Sequence, residues 1–496
     1  MKILIPLRGV CFFIAVAMMF HTCVFAQDVA MADRLVALEK EMAKMQKTIQ
    51  DQNQQIAQLK STGPQIQVAG AKDNVTTAAP MNEYEFNNML DSSLGGSQKW
   101  LKNLKFAGDL RLRYEAFHAS GGASPGGGSS DWDRNRFRFR LRYGFEKTFS
   151  PEWKAGFSMA SGDKVTNNGH NADPTSTNQT MGSDFNFKNI WIEKAYGTYT
   201  PNWAKVGPVK ELEVTGGKFT NPFERGSSDM VFDRDLKPEG VYEKVNVNLY
   251  NSENIKINSY FTGGQFILQE NAAPISSGVT YSDSEMYGFQ WGLNPIVYTP
   301  WLERPVDLLS AISYFDYSDY SQNRNWRIDS SAAATSLANG NSVCSPNELC
   351  TGFKVLELYH EAAITPYGLP IRPFVDYAHN MDAGRSMRDR DAWGLGVKVG
   401  KSLKKGDWEA MYQYKWIGAD SVPGAFNDSD FGYRGYAGNQ GSVIKLGYML
   451  TDYLTVNAAA YIVRNLNIGQ ALDATSTSRL KSEQQSRFQM DLVWKF

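Results

Sequence analysis

The chain has 496 residues, more than a single small domain usually holds, and a formal charge of −1 at pH 7. That near balance excludes the strongly basic footprint of a nucleic-acid-binding protein. After residue 26 no run reaches the roughly 18 apolar residues that a membrane helix needs, yet 13% of the residues are aromatic.

Lys2 and Arg8 open the chain. An apolar run follows from Val10 to Phe25, broken by His21 and Thr22, and ends on Val24-Phe25-Ala26. Residues 1–26 read as a secretory signal peptide cut after Ala26. An uncleaved membrane anchor is the alternative; Phe20-His21-Thr22 is a poor lead-in to a lipoprotein cysteine at Cys23. Cleavage removes two cations and no anion, so the formal charge moves from −1 to −3.

Residues 27–60 carry heptads. Leu35, Met42, Ile49 and Ile56 take one seam position; Met31, Leu38, Met45, Gln52 and Leu59 take the other. A repeat of 3.5 over about four heptads predicts an α-helical coiled coil, with Gln52 helping to fix register. A lone amphipathic helix packed on a domain is the plainer reading. Residues 61–100, rich in Thr, Ala, Asn, Gly and Ser, read as a linker.

From residue 101 the period changes to two. Leu110, Leu112 and Tyr114 alternate with Asp109, Arg111, Arg113 and Glu115. Phe137, Phe139, Leu141 and Tyr143 alternate with Arg136, Arg138, Arg140 and Arg142. Successive side chains of a strand point to opposite faces, so each strand has one apolar and one charged face. The same signature predicts strands at 104–116, 134–149, 153–162, 187–200, 210–220, 240–250, 254–263, 284–297, 306–318, 353–365, 370–379, 391–401, 407–418, 440–450, 453–464 and 485–496. Long Gly-, Ser- and Asn-rich connections alternate with mostly shorter turns such as Ser150-Pro151-Glu152 and Thr451-Asp452. That rhythm predicts an all-β transmembrane barrel over 101–496, antiparallel, of about 16 strands, in the outer membrane of a Gram-negative cell. An even count returns both barrel ends to the periplasmic side, where the coiled coil would sit.

Cys344 and Cys350, the only cysteines after the signal peptide, lie in a polar stretch and predict a local disulfide in an oxidising compartment. In the last strand Phe488, Met490, Leu492, Trp494 and Phe496 form the apolar phase, facing lipid, with Trp494 and Phe496 at the interface girdle. An amphipathic strand ending in Phe496 resembles the signal read by the bacterial barrel-insertion machinery.

Two stretches resemble the putative-porin family of Gram-negative bacteria. One is Gly108-Asp109-Leu110-Arg111-Leu112-Arg113-Tyr114 with Asn135 to Arg142 and Trp153 to Asp163. The other is Gly217-Lys218-Phe219-Thr220-Asn221-Pro222-Phe223 with Asp233 to Gly240. The phosphate-selective porins are a near neighbour with a similar layout. The resemblance implies a water-filled channel for passive diffusion of small hydrophilic solutes and a homotrimer. It also implies that the third long loop folds inward to narrow the pore. That loop holds Glu224, Arg225, Asp229, Asp233, Arg234 and Asp235.

Arg111, Arg113, Arg134, Arg136, Arg138, Arg140 and Arg142 share the lumen-facing phase of two neighbouring strands. Facing positive charge favours anions in a pore. The competing reading is a structural wall in which Asp109, Glu115, Asp131 and Asp133 neutralise the arginines. No zinc-ligand spacing, G-x-S-x-G elbow or P-loop occurs, so neither an enzyme nor a cofactor or metal is expected. A structural tether or adhesin, anchored by the barrel and bound to the cell wall through the coiled coil, is the alternative function.

Overall fold

The computed structural model describes residues 102–120, 132–163, 173–224, 226–270, 282–300, 302, 304–322, 340–345, 348–384, 389–432, 437–466 and 484–496. The expected signal peptide, coiled coil and linker lie outside them.

Sixteen strands form the wall. They are β1 (Leu104–Ser120), β2 (Trp132–Ser150), β3 (Trp153–Ser161), β4 (Ile190–Tyr199), β5 (Val209–Lys218), β6 (Glu239–Asn251), β7 (Ile255–Gln269) and β8 (Ser284–Val297). Then come β9 (Val306–Ser318), β10 (Phe353–Ala363), β11 (Ile371–Asn380), β12 (Asp391–Gly400), β13 (Trp408–Ile417), β14 (Asn439–Met449), β15 (Leu454–Asn465) and β16 (Gln484–Lys495). Each pairs antiparallel with its neighbours in sequence, and β1 pairs with β16, so the sheet closes into a ring. Closure removes the unpaired edges an open sheet would offer.

The seam is set residue by residue. Leu110 faces Trp494, Leu112 faces Leu492 and Tyr114 faces Met490 across β1 and β16. Gly108 N donates to Phe496 O at 2.8 Å, and Phe496 N donates back to Gly108 O at 3.1 Å. A Cβ at Gly108 would lie 2.5 Å from the Phe496 ring, so the last residue's ring lies where a larger side chain would stand.

The apolar phase faces outward. Phe106, Phe137, Phe145, Phe149, Trp153, Phe261 and Trp291 are all exposed on the outer wall. The inner phase is polar along β1, β2 and β16, where Arg113, Glu115, Arg138, Gln489 and Asp491 are buried. From β6 to β10 the inner phase also carries large apolar residues, Tyr242, Phe266, Met286, Phe315, Tyr317, Phe353 and Val355, between polar ones such as Gln290, Ser313 and Glu357.

Three departures from strict alternation have physical causes. β7 runs to Gln269, past the Gly263-Gly264 pair that breaks the sequence pattern, because its backbone stays paired with β6 and β8. In β4 the register slips: Ser158 faces Lys194 while Met159 faces Ile192, which leaves Glu193 as an extra residue. Such a bulge re-aims a side chain. In the second long loop, Gln179–Thr180 pairs with Arg138–Phe139 of β2.

In the fifth long loop, Val343–Ser345 pairs with Glu348–Leu349 as a small hairpin, and Cys350 is disulfide-bonded. The side chain of Cys344, its expected partner, lies outside the described residues. Mass spectrometry without reductant should find a peptide joining Cys344 to Cys350; two freely alkylated thiols would rule the link out.

Candidate functional site: a charged wall and two inward loops

The arginines of β2 stand on the inner phase because every second residue from Arg134 to Arg142 is arginine. The register sets Arg113 opposite Arg138 and Arg111 opposite Arg140. Like charges directly opposite one another destabilise a sheet, so this arrangement needs carboxylates close by. Arg136 Nε donates to Glu115 at 2.6 Å. Arg140 Nε donates to Asp109 at 2.7 Å. Arg113 donates twice to Asp491 of β16, at 2.7 and 2.8 Å, and lies 3.5 Å from Asp430. Arg138 lies 4.0 Å from Glu115 and 3.5 Å from Asp163. Arg111 lies 3.9 Å from Asp491. Arg142 meets Asp235 at 2.6 Å and Glu193, the bulge residue, at 3.2 Å.

Arg111, Arg113, Arg136, Arg138, Arg140 and Arg142 each have a carboxylate within 4 Å. Arg134 is exposed near the long-loop rim, opposite Phe117. Asp109 and Glu115 neutralise the wall as the competing reading expects. Asp133 instead meets His118 at 2.7 Å, and Asp131 lies outside the described residues. Asp491, Asp430, Asp235, Glu193 and Asp163 complete the pairing from other strands and loops.

The third long loop, 219–238, crosses the inside of the ring. Gly288 leaves a notch on β8: a Cβ there would lie 2.4 Å from the Phe223 ring. Glu224 N donates to Gln290 at 2.7 Å, and the Glu224 carboxylate meets Lys244 at 2.8 Å. Ser227 N donates to Tyr359 Oη at 2.9 Å, Ser227 Oγ donates to Glu361 at 2.7 Å, and Ser228 Oγ donates to Asp376. Asp229 accepts from Lys415 at 2.9 Å and from Lys445 at 3.0 Å. Arg234 Nη2 folds the loop on itself, donating to Ser227 O at 2.8 Å. Asp235 reaches Arg142 on the far wall. These anchors stand on β8, β6, β10, β11, β13, β14 and β2 in turn. Arg225 lies outside the described residues.

A second inward loop, 418–438, was not expected from the sequence. Asp428 meets Lys415 at 2.7 Å and Asp430 meets Arg487 of β16 at 2.5 Å. Ser429 N donates to Asp233 Oδ2 at 3.1 Å, and Asp233 N donates to Phe426 O at 2.6 Å, so the two loops bind each other. Lys415, fully buried, sits between Asp229 of one loop and Asp428 of the other, 4.3 Å over the Phe431 ring. The loops also share an aromatic core with the wall. Ring centroids of Phe223 and Phe232 lie 4.9 and 5.1 Å from that of Phe315, and Phe426 stacks on Tyr317 at 6.0 Å.

Burial alone would push the loop carboxyls up. At Asp229 the ammoniums of Lys415 and Lys445 outweigh it, and at Asp430 the guanidiniums of Arg487 and Arg113 do, so both lie below the usual carboxylate range. Asp235 is held low in the same way by Arg142, Arg140 and Arg111. The stability these pins supply is complete above the unfolded carboxylate range and is lost only as pH falls through the depressed values. Burial, then Asp235 and Asp428 nearby, push Asp233 well up.

Sequence reading missed Lys415, Asp428, Asp430, Arg487 and Asp491 as members of this site. A signal was present. Met230-Val231-Phe232 and Val422, Phe426 and Phe431 are apolar residues inside loops, and apolar residues in a loop mark backbone that is covered.

No curated protein matches this chain. Among solved structures, a high-pH structure of OprB from Pseudomonas putida is similar, with 11% identity, 81% of this chain and 97% of that chain covered, and a TM-score of 0.45. OmpF from Salmonella typhi in complex with daunomycin is also similar, with 10% identity, 79% and 97% covered, and a TM-score of 0.38. The family model described as putative porin matches residues 119–358 and 351–469. With that match over most of a closed antiparallel barrel, the chain belongs to the putative-porin family and is an outer-membrane channel protein.

Proposed function

We propose that the barrel holds a water-filled passage for passive diffusion of small hydrophilic solutes, with a modest preference for anions. The observation that carries this reading is the strip of paired charges on β1, β2 and β16, which faces the tips of two inward loops. Barrels of 16 to 18 strands are wide enough to enclose an aqueous channel. Loop 219–238 packs its apolar residues against the inner face from β6 to β10, so on this reading polar solutes pass along the charged strip. The preference is modest because the arginines are already paired; they attract a passing anion only to the extent that their carboxylates leave them exposed. The seven arginines and the acidic residues of loop 219–238 are the lining on this reading.

The chain's other parts fit the same reading. Residues 1–26 direct export, 27–60 form a periplasmic coiled coil that contributes to a homotrimer, 61–100 link it to the wall, and Phe496 presents the strand to the insertion machinery. Folded, heat-modifiable protein in planar bilayers should give discrete ohmic current steps in KCl. A barrel that folds and inserts without conducting would sink the reading.

A further inference from the structure

The carboxylates of the charged strip stand on two kinds of backbone. Asp109, Glu115 and Asp491 are paired within strands, Glu193 sits at the bulge of β4, and Asp163, Asp430 and Asp235 stand on loops. Asp235 stands on an inward loop, in a turn where its N–H donates to the Asp233 side chain at 2.7 Å. Its Oδ1 accepts from Arg142 Nη2 at 2.6 Å. Arg140, two residues before Arg142 on β2, and Arg111, opposite Arg140 on β1, stand on the same inner face. Lys237 Nζ is tied to the same turn, donating to Arg234 O at 3.1 Å and to Asp235 O at 3.0 Å.

Each of these arginines also has a carboxylate on a strand: Arg140 meets Asp109 at 2.6 Å, Arg142 meets Glu193 at 3.2 Å, and Arg111 lies 3.9 Å from Asp491. The buried Arg111 Nε has no hydrogen-bond acceptor among the described residues, although Arg111 Nη2 donates to Asn178. The register holds Arg111 directly opposite Arg140, with Arg142 two residues further along β2. Three guanidiniums thus stand together on two paired strands, and a loop supplies Asp235 to one of them, Arg142. Planar guanidinium forks match a carboxylate's two oxygens, and they do so whether that carboxylate belongs to the chain or to a solute.

We propose that Arg111, Arg140 and Arg142 form a binding site for small carboxylate solutes, and that Asp235 is its tethered resident, displaced when a solute carboxylate enters. The proposal rests on the channel reading above, since the solute must reach the inside of the ring. Exchange conserves charge at the site: one carboxylate leaves the guanidiniums and another takes its place. Asp235 then acts as a built-in competitor that lets a carboxylate bind briefly and leave.

The test compares the parent with Asp235→Asn and Asp235→Glu, using succinate as the probe. Calorimetric titration of detergent-folded protein reads the site whether or not current flows; bilayer recording in KCl reads the channel separately. Asp235→Asn removes the competitor and should tighten succinate binding about tenfold, or about 1.4 kcal/mol. Asp235→Glu keeps a carboxylate and should stay near the parent. Equal succinate affinity in the parent and Asp235→Asn, or equal tightening in both variants, would overturn the proposal. Conducting channels with no such difference would leave the channel reading standing without the site. A succinate difference without conductance would do the reverse.

Discussion

Replacing Arg136, Arg138 and Arg140 together by Gln should turn the channel toward cations. The three guanidiniums now stand against Glu115, Asp163 and Asp109. Gln keeps polarity and nearly the length while removing charge, so the triple change takes three positive charges from the wall and uncovers carboxylates already inside it. We expect the anion-to-cation permeability ratio in a KCl gradient to fall on the order of tenfold at ~0.1 M salt. It should fall much less at ~1 M, where the screening length is only about 3 Å. The ring should still form, because Phe137, Phe139 and Leu141 on the outer phase are unchanged and the backbone pairing of β1 with β2 does not involve the guanidiniums. Lys495→Gln, at the short-turn end of β16, should barely move the reversal potential. A triple variant whose reversal potential equals the parent's at low salt would make these arginines wall structure alone.

Lys415→Met should be the most damaging single change inside the ring. Lys415 is completely buried, and its ammonium bridges Asp229 and Asp428. Removing one partner of a buried ion pair costs about 3 to 5 kcal/mol, because the remaining charge has neither water nor a counter-ion. Here two carboxylates are left, one on each inward loop, and only Asp229 keeps a second cation in Lys445. The loops should separate from the wall and from each other. Bilayer recording should show larger and noisier conductance, and the thermal transition of the folded barrel should fall by several degrees. Lys445→Met should do far less, since Lys445 is a third exposed and Lys415 still holds Asp229. Combining Lys415→Met with Asp428→Asn removes a charge from each side and should recover part of the loss. A Lys415→Met protein with the parent's conductance and melting temperature would show that the clip does not hold the loops.

The wall of this molecule is written in its sequence because a strand's side-chain period is fixed at two and lipid on one side enforces it. Each of the sixteen expected strands overlaps an observed one, and β8 and β9 agree at both ends. Where the ends differ, pairing carried the strand further than composition suggested, as at Phe117 to Ser120, which pair with Gln484 to Arg487. The site was legible only in part. The arginine row is local, so alternation alone placed it. Its partners are not local: Asp491, Asp430 and Asp235 reach Arg113 and Arg142 from the far end of the chain and from two loops. The Glu193 bulge left no mark either, because a single extra residue in β4 looks like any other position in a short apolar stretch. The clip at Lys415 joins a strand to two loops, and no period encodes such a junction.

The pairing of β1 with β16 also sets an order of events. Asp109 finds its neighbour in Lys495, near the opposite end of the chain, so the first strand keeps a bare edge until the last one has been synthesised. Without β16 the β1 edge has no partner on that side, and an unpaired edge is prone to pair with the wrong chain. Contacts of such sequence separation also form slowly. Ring closure thus requires both ends of the sheet at once. A chain cut before residue 484 would lack β16 and could not close the ring.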